Sequence, residues 1–258
     1  MEDIFFAGHW LSEFGGRLTA SPQKEIAEYD YEMIEIPGRS GNIYLDNNRY
    51  KNVPMQREIN LVNKTRIRSS QQVDKFLDWI AYARGYQEFR DTLHPRASTR
   101  AVLQNIGEVV REIPRLHRSV LSFDREPFWY SDDGQIYRQA RLTDNKYTVE
   151  LINPYGLAAA ASYQISMQPC TASIRISVNG SIAYYENLTF SAELNSLFID
   201  GKNQQVMLKN GATIRRLNVD EPAALAPNEK NIVEIYFADS SSLQYVTSVR
   251  ACPNWRFL

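Results

Sequence analysis

The chain has 258 residues, 43% hydrophobic and 23% charged, and its 29 basic and 30 acidic side chains leave a net charge of −1. Such a length and apolar fraction suit one large or two medium globular domains and argue against disorder. The balanced charge removes any chain-wide electrostatic drive toward nucleic acid or anionic lipid.

Taken in order, Ile4 to Phe14 is aromatic-rich and reads as a hairpin closed by Gly15-Gly16, with a short extended piece near Arg17-Leu18-Thr19. Residues from Ser21 to Tyr29 suit a loop or a short helical turn. The first half is organised around the next stretch, Ile34 to Val62. Pro37 fixes φ and Gly38 tolerates a positive one, so Pro37-Gly38 predicts a tight turn, with Gly41 loosening the backbone again. Asp46-Asn47-Asn48, between Tyr44-Leu45 and Tyr50, tolerate left-handed φ and bond their own backbone, which predicts a second, smaller hairpin. Beyond it Met55, Ile59 and Leu61 alternate with Gln56, Glu58 and Asn60 as in a half-buried strand, and Arg57 interrupts the apolar side. Two readings fit: an ordinary connection between sheets, or an arm that leaves its own body to pair elsewhere.

One strong helix is predicted over about residues 70–84. Ser69 and Gln72 have capping-box spacing, Val73, Phe76, Leu77, Ile80 and Ala81 share an apolar stripe, and Gly85 ends it. Trp79 lies off the stripe, as a flank of the core or a contact for a neighbouring subunit. Tyr86 to Asp91 reads as a strand, Val102–Ile106 and Glu108–Ile113 as a hairpin about Gly107, and His117–Phe123 as a further strand. The run Phe123 to Gly134 mixes aromatics with Pro, Asp and Gly, and the boundary placed there gives domains 1–132 and 133–258.

After Ile136, short strands punctuated by turn signals predict an all-β sandwich. Ile174, Ile176 and Val178 alternate into Asn179-Gly180, a strong hairpin signal, and Asp200-Gly201 and Asn210-Gly211 repeat the device. Ile232 to Phe237 reads as an apolar strand with Glu234 on its polar side. The run Ala158–Ala161 suits a linker or an edge strand, and the apolar tail Cys252-Pro-Asn-Trp255-Arg-Phe257-Leu258 should dock on its own domain or on a neighbour.

Motifs for chemistry are absent. Cys170 and Cys252 are too few for a disulfide scaffold and wrongly spaced for a metal, so both read as reduced thiols. His9, His94 and His117 are scattered, and Gly38-Arg-Ser40-Gly41 lacks the spacing and following helix of a nucleophile elbow. The pairs Asp132-Asp133 and Asp220-Glu221 sit beside turn formers. No catalytic, cofactor or metal residue is therefore predicted. The opening Met1-Glu-Asp carries acids where a signal peptide needs bases, and no apolar run reaches the roughly 18 residues of a membrane span, so synthesis in a cytoplasm is expected.

In its order of elements the chain resembles the distal tail protein (Dit) family of long-tailed siphoviruses. The residues that carry this are Gly8, Ser12, Phe14 and Gly15, then Glu35-Ile-Pro37-Gly38-Arg-Ser-Gly41 followed by Tyr50-Lys-Asn52, the single helix, and Phe123 to Tyr130. In the second half they are Asn153-Pro-Tyr-Gly156, Ile176-Ser-Val-Asn-Gly180, Leu197-Phe-Ile199-Asp200 and Asn231-Ile-Val-Glu-Ile235. The resemblance implies a mainly β chain: an N-terminal β-sandwich or split barrel with one helix and a hairpin arm, then a galectin-like β-sandwich. It also implies a structural role in the virion, assembled in the host bacterial cytoplasm: a homohexameric ring at the tail tip joining the tail tube to a tail-associated lysin and receptor-binding proteins. No enzyme activity, cofactor, membrane or nucleic-acid partner is implied. The candidate interface is the arm, with Pro37, Gly38, Gly41, Tyr44, Asp46, Asn47, Asn48 and Tyr50. The alternative is a carbohydrate-binding sandwich in which Tyr155, Tyr184 or Tyr185 stacks on sugars, although aromatics in strands more often belong to a core.

Overall fold

Strands dominate the computed structural model, which describes residues 2–19, 23–62, 68–113, 116–210, 213–217 and 222–258. It divides into two units, residues 1–129 with Leu258, and residues 130–257.

In unit 1, β1 (Ile4–Phe6) and β2 (His9–Trp10) form a hairpin, followed by a 3-10 turn at Leu11–Phe14 and β3 (Gly16–Leu18). Next come β4 (Tyr29–Ile34) and β5 (Ile43–Tyr50), which form a separate two-stranded sheet. The chain continues through β6 (Val53–Val62), α1 (Arg68–Tyr82), β7 (Gln87–Asp91), β8 (Ala97–Ile106), β9 (Val110–Ile113) and β10 (Leu116–Arg125), and β11 (Trp129–Ser131) leads onward. The body sheet is antiparallel in the order β2-β1-β7-β8-β10-β6-β3.

The alternation read from the sequence turns β6 inside out in the expected way: Val53, Met55, Ile59 and Leu61 are buried. Phe123 of β10 lies directly opposite Met55. Phe6 and Phe89 meet Phe123 edge-to-face, with ring centroids 5.1 and 5.3 Å away, a favoured aromatic geometry in the core.

The helix begins at Arg68, so Ser69 lies within its first turn and is not the cap; the residue before it falls outside the described residues. Its buried face is rotated from the expected stripe: Phe76, Trp79 and Ile80 are buried while Ala81 is exposed. Trp79 belongs to the core because the Leu11–Phe14 turn gives its ring a partner. Phe14 stacks on it at 4.6 Å, and its Nε1–H donates to Phe6 O at 3.1 Å.

Gly107 is not a hairpin turn. Both β8 and β9 pair with β10, and Gly107 N–H donates to Val120 O at 2.7 Å, so the two segments lie end to end along one edge of β10. Residues 114–115, between β9 and β10, lie outside the described residues.

Unit 2 contains β12 (Arg138–Gln139), β13 (Arg141–Thr143), β14 (Lys146–Ile152), β15 (Ser162–Met167), β16 (Cys170–Val178) and β17 (Ser181–Phe190). It continues with β18 (Ser196–Asp200), β19 (Gln205–Asn210), β20 (Thr213–Leu217), β21 (Lys230–Phe237), β22 (Val246–Cys252) and β23 (Arg256–Phe257). Two sheets, β12-β22-β15-β18-β19-β20 and β13-β14-β21-β16-β17, enclose one core that includes Leu151, Ile165, Ile176, Tyr185, Ile235 and Trp255. The result is a β-sandwich.

Asn179 and Gly180 take φ of 50° and 90°, the positive pair that a two-residue hairpin turn requires. Asp200-Gly201 works differently: residues 201–204 form the connection, and Asp200 Oδ1 accepts from the N–H groups of Lys202 and Asn203. Gly201 is needed for close approach, since a Cβ there would lie 2.3 Å from Ala160 O. The Asn210-Gly211 signal runs into residues 211–212, which lie outside the described residues, as do Asp220 and Glu221.

The tail docks within unit 2. Trp255 is fully buried, Asn254 N–H donates to Gly134 O at 2.7 Å, and Asn254 Nδ2 reaches Ala160 O and Ser162 Oγ at 2.9 and 2.8 Å. Of the alanine run, Ala159 makes an isolated bridge with Leu225.

Candidate functional site

The arm is a ladder from Tyr29 opposite Tyr50 to Ile34 opposite Ile43, joined by a loop of residues 35–42. At its tip Arg39 N–H donates to Ile36 O at 3.1 Å across Pro37-Gly38, and Gly38 has φ +82°, the type II geometry that proline and glycine favour in that order. Gly41, at φ +85°, opens the way back into β5.

Asp46-Asn47-Asn48 form no second hairpin. They lie inside β5, where the register slips between Asp30 and Tyr31. Asn48 does take a left-handed φ of 52°, and its N–H donates to Asp46 Oδ1 at 2.6 Å, but the feature is a bulge that bends the ladder. Tyr29 OH donates to the same carboxylate at 2.8 Å; that bond pushes the Tyr29 pKa up to about 12. Opposite, Arg49 Nε donates to Asp30 Oδ2 at 2.7 Å and holds the Asp30 carboxyl below its ordinary range.

The arm's root is tied to the body. Lys51 N–H donates to Glu28 O at 2.8 Å, and the Tyr50 ring meets Tyr29 and Phe128 edge-to-face at 5.0 and 5.4 Å. Asn52 Nδ2 reaches Tyr86 OH and Asp124 Oδ2. Just upstream, Glu25 holds Arg57, the residue that interrupted the apolar side of β6, through contacts of 2.6 and 3.1 Å. Arg57 is buried, with Asp91 3.8 Å away, and the neighbouring buried Arg125 donates to Glu25 O at 3.1 Å. Desolvation lowers the Arg125 pKa to about 10. No sequence pattern announced this cluster beyond the misfit of Arg57 in its alternation.

Beyond the bulge the arm carries large apolar side chains on both faces, with the exposed Glu32 opposite Leu45 on one of them. The pairing puts Tyr31, Met33 and Tyr44 on one face, where the Tyr31 and Tyr44 rings stack at 5.2 Å, and Ile34, Ile43 and Leu45 on the other. Tyr31, Met33, Ile34, Ile36, Tyr44 and Leu45 are between 40% and 57% exposed. Six large apolar side chains are thus gathered, part-exposed, on a thin two-stranded sheet.

The sugar-stacking candidates do not come together. Tyr184 and Tyr185 point to opposite sides of β17: Tyr184 is exposed beside the Arg175 guanidinium at 5.5 Å, whereas Tyr185 is completely buried in the core. Tyr155 stacks on Phe257 at 5.1 Å. Among the described residues no group of three or more His, Cys, Asp or Glu side chains is placed to hold a metal ion, and Cys170 and Cys252 are both free thiols.

No protein-family profile and no curated protein matches the sequence. Solved structures do. The chain matches the Dit (gp 19.1) protein of phage SPP1, presented as a paradigm of the hub adsorption apparatus in phages infecting Gram-positive hosts, with a TM-score of 0.65 at 9% identity and all of both chains covered. A chain of the phage P2 baseplate, in its activated conformation with Ca, matches with a TM-score of 0.50 at 7% identity over 93% of this chain and 99% of that one. The chain therefore has a Dit-like fold from end to end, mainly β with a sandwich, as the resemblance implied.

Proposed function

We propose that this protein is a structural hub of a phage tail tip, which assembles as a homohexameric ring between the tail tube and the tail-associated lysin or receptor-binding proteins. Residues 1–132 serve as the ring-forming domain and residues 133–258 as a galectin-like sandwich. The observation that carries this reading is the β4–β5 arm, on which six large apolar side chains are 40–57% exposed. Covering the exposed part of those six side chains is worth about 1 kcal/mol each, a drive toward association. A subunit that offers one surface and accepts its complement generates a closed ring when the rotation closes. The full-length match to the SPP1 hub protein supports the same role. Virion location and a non-catalytic role follow from it. Of the three aromatics of the carbohydrate-binding alternative, Tyr185 lies in the core and Tyr155 against Phe257, which leaves Tyr184 as the one exposed candidate.

Native mass spectrometry of the purified chain, with negative-stain imaging, tests the proposal. A six-subunit mass and annular particles are expected. A strictly monomeric protein at high concentration, unable to be recruited by tail tube protein, would refute it. A glycan array should show no saturable binding.

A further inference from the structure

Near the start of unit 2 the chain crosses from one sheet of the sandwich to the other at a single residue. Ala140 N–H donates to Val249 O at 2.9 Å, and Arg138 and Gln139 pair with β22, whereas Arg141 to Thr143 pair with β14. β14 outruns that pairing. β13 reaches only as far as Thr148, opposite Arg141, while β14 continues to Ile152. Asn153 N–H donates to Glu229 O at 2.9 Å, which sets the alternation along β14: Val149 and Leu151 bond to β21, and Glu150 and Ile152 turn their N–H and C=O groups the other way. Among the described residues no strand lies there to receive them.

Where the strands diverge they leave a groove of about 470 Å³, lined by Arg138, Gln139, Arg141, Thr143, Thr148 and Glu150. The acids beside it are each held by a cation, Glu150 by Lys230 at 2.7 Å and Asp133 by Arg138 at 2.8 Å. Arg141 is left over. Its guanidinium, and the side chains of Gln139, Thr143 and Thr148, make no hydrogen bond to any described residue, so a fork of N–H donors, an amide and two hydroxyls border one open space. Ile152, 63% exposed, and Ile232, exposed and level with Glu150, add an apolar rim on the outer side of the sheet.

We infer that this groove docks the C-terminal end of an extended peptide segment from a partner protein. β13 runs antiparallel to β14, and a segment laid along β14 ahead of it, in the same direction, ends at Arg141. Its main chain takes up the open groups of Glu150 and Ile152, its terminal carboxylate meets the Arg141 fork with Arg138 alongside, and an apolar side chain lies on Ile152. The open main-chain groups favour a peptide over a small carboxylate or phosphate ion, which would leave them unpaired.

The test is an array of hexapeptides held by their N-termini, each made with a free and with an amidated C-terminus, and probed with the full-length chain. Binding confined to peptides with a free carboxylate is expected. Arg141→Gln, at an exposed position, should weaken it roughly tenfold or more with an unchanged circular dichroism spectrum. Arg175→Gln, exposed on the same sheet, is the control and should leave binding as it is. With one bound peptide in solution, amide hydrogen exchange should slow at Glu150 and Ile152. An array that captures nothing, equal binding of free and amidated peptides, or full binding by Arg141→Gln overturns the site. Free-carboxylate binding that leaves those two amides unprotected overturns the strand addition and makes the groove an anion site only. Each of these outcomes leaves the hub reading standing, since that reading makes no use of the groove.

Discussion

Removing the Glu25 carboxylate should cost far more than its position on a segment without regular structure suggests. Arg57, its partner, is 3% exposed, and Glu25 Oε1 and Oε2 lie 2.6 and 3.1 Å from its two terminal nitrogens. Breaking a buried pair by deleting one member costs roughly 3–5 kcal/mol, because the remaining charge is left without a partner. Two features reduce that figure: the Glu25 side chain is 26% exposed, and Asp91 Oδ2 stands 3.8 Å from Arg57 Nη2. About 2–3 kcal/mol is then expected for Glu25→Gln. In a unit of this size that is roughly 6–12 °C in Tm for unit 1. Differential scanning calorimetry of Glu25→Gln, Arg57→Leu and the double variant gives the coupling directly. The cycle should show about 2 kcal/mol, with the double variant recovering much of the loss because no unpaired guanidinium remains. A coupling below about 0.5 kcal/mol would refute the claim that this pair anchors the segment entering the arm.

Gly134→Ala should destabilise unit 2, because the new Cβ would meet Trp255 N, Cβ and Cγ at 2.5, 2.7 and 2.9 Å; a loss of about 1–3 kcal/mol by chemical denaturation is expected. Truncation after Ala251 removes the buried Trp255 and the Asn254 hydrogen bonds, and should lower the melting temperature of unit 2; an unchanged transition would disprove the docking. Tyr29 has its pKa raised from 10.0 to about 12, so its bond to Asp46 supports the arm fully below about pH 10 and is lost as pH rises through about 12. Ultraviolet difference titration should show one phenolate appearing late in that window, absent from Tyr29→Phe, with arm amide exchange accelerating in parallel.

Much of this architecture was legible where one local signal had one physical meaning. The alternation of β6 could be satisfied only by a strand with Met55, Ile59 and Leu61 inward, and Asn179-Gly180 carries the two positive φ values a tight hairpin needs. Asp46-Asn47-Asn48 misled because a turn and a bulge both call for a left-handed residue. Asn48 supplies it in either case, and only the partner strand, with Tyr31 set opposite Asp46, decides between them. Gly107 misled in the same way, since the strand that receives both β8 and β9 comes later in the chain. Trp79 was displaced from the expected stripe by a distant partner, Phe14, that no helical period contains. The arm's root cluster was least visible of all: Glu25, Arg57, Asp91 and Arg125 come from four separate segments, and charge alone gives no reason to bring them together.

Gly134 lets Trp255 sit against the opening residues of unit 2, so the first and last segments of that sandwich are stitched side by side. A sandwich closed in this way should not fray from one side alone, because loosening its first segment uncovers the same indole that its last segment buries.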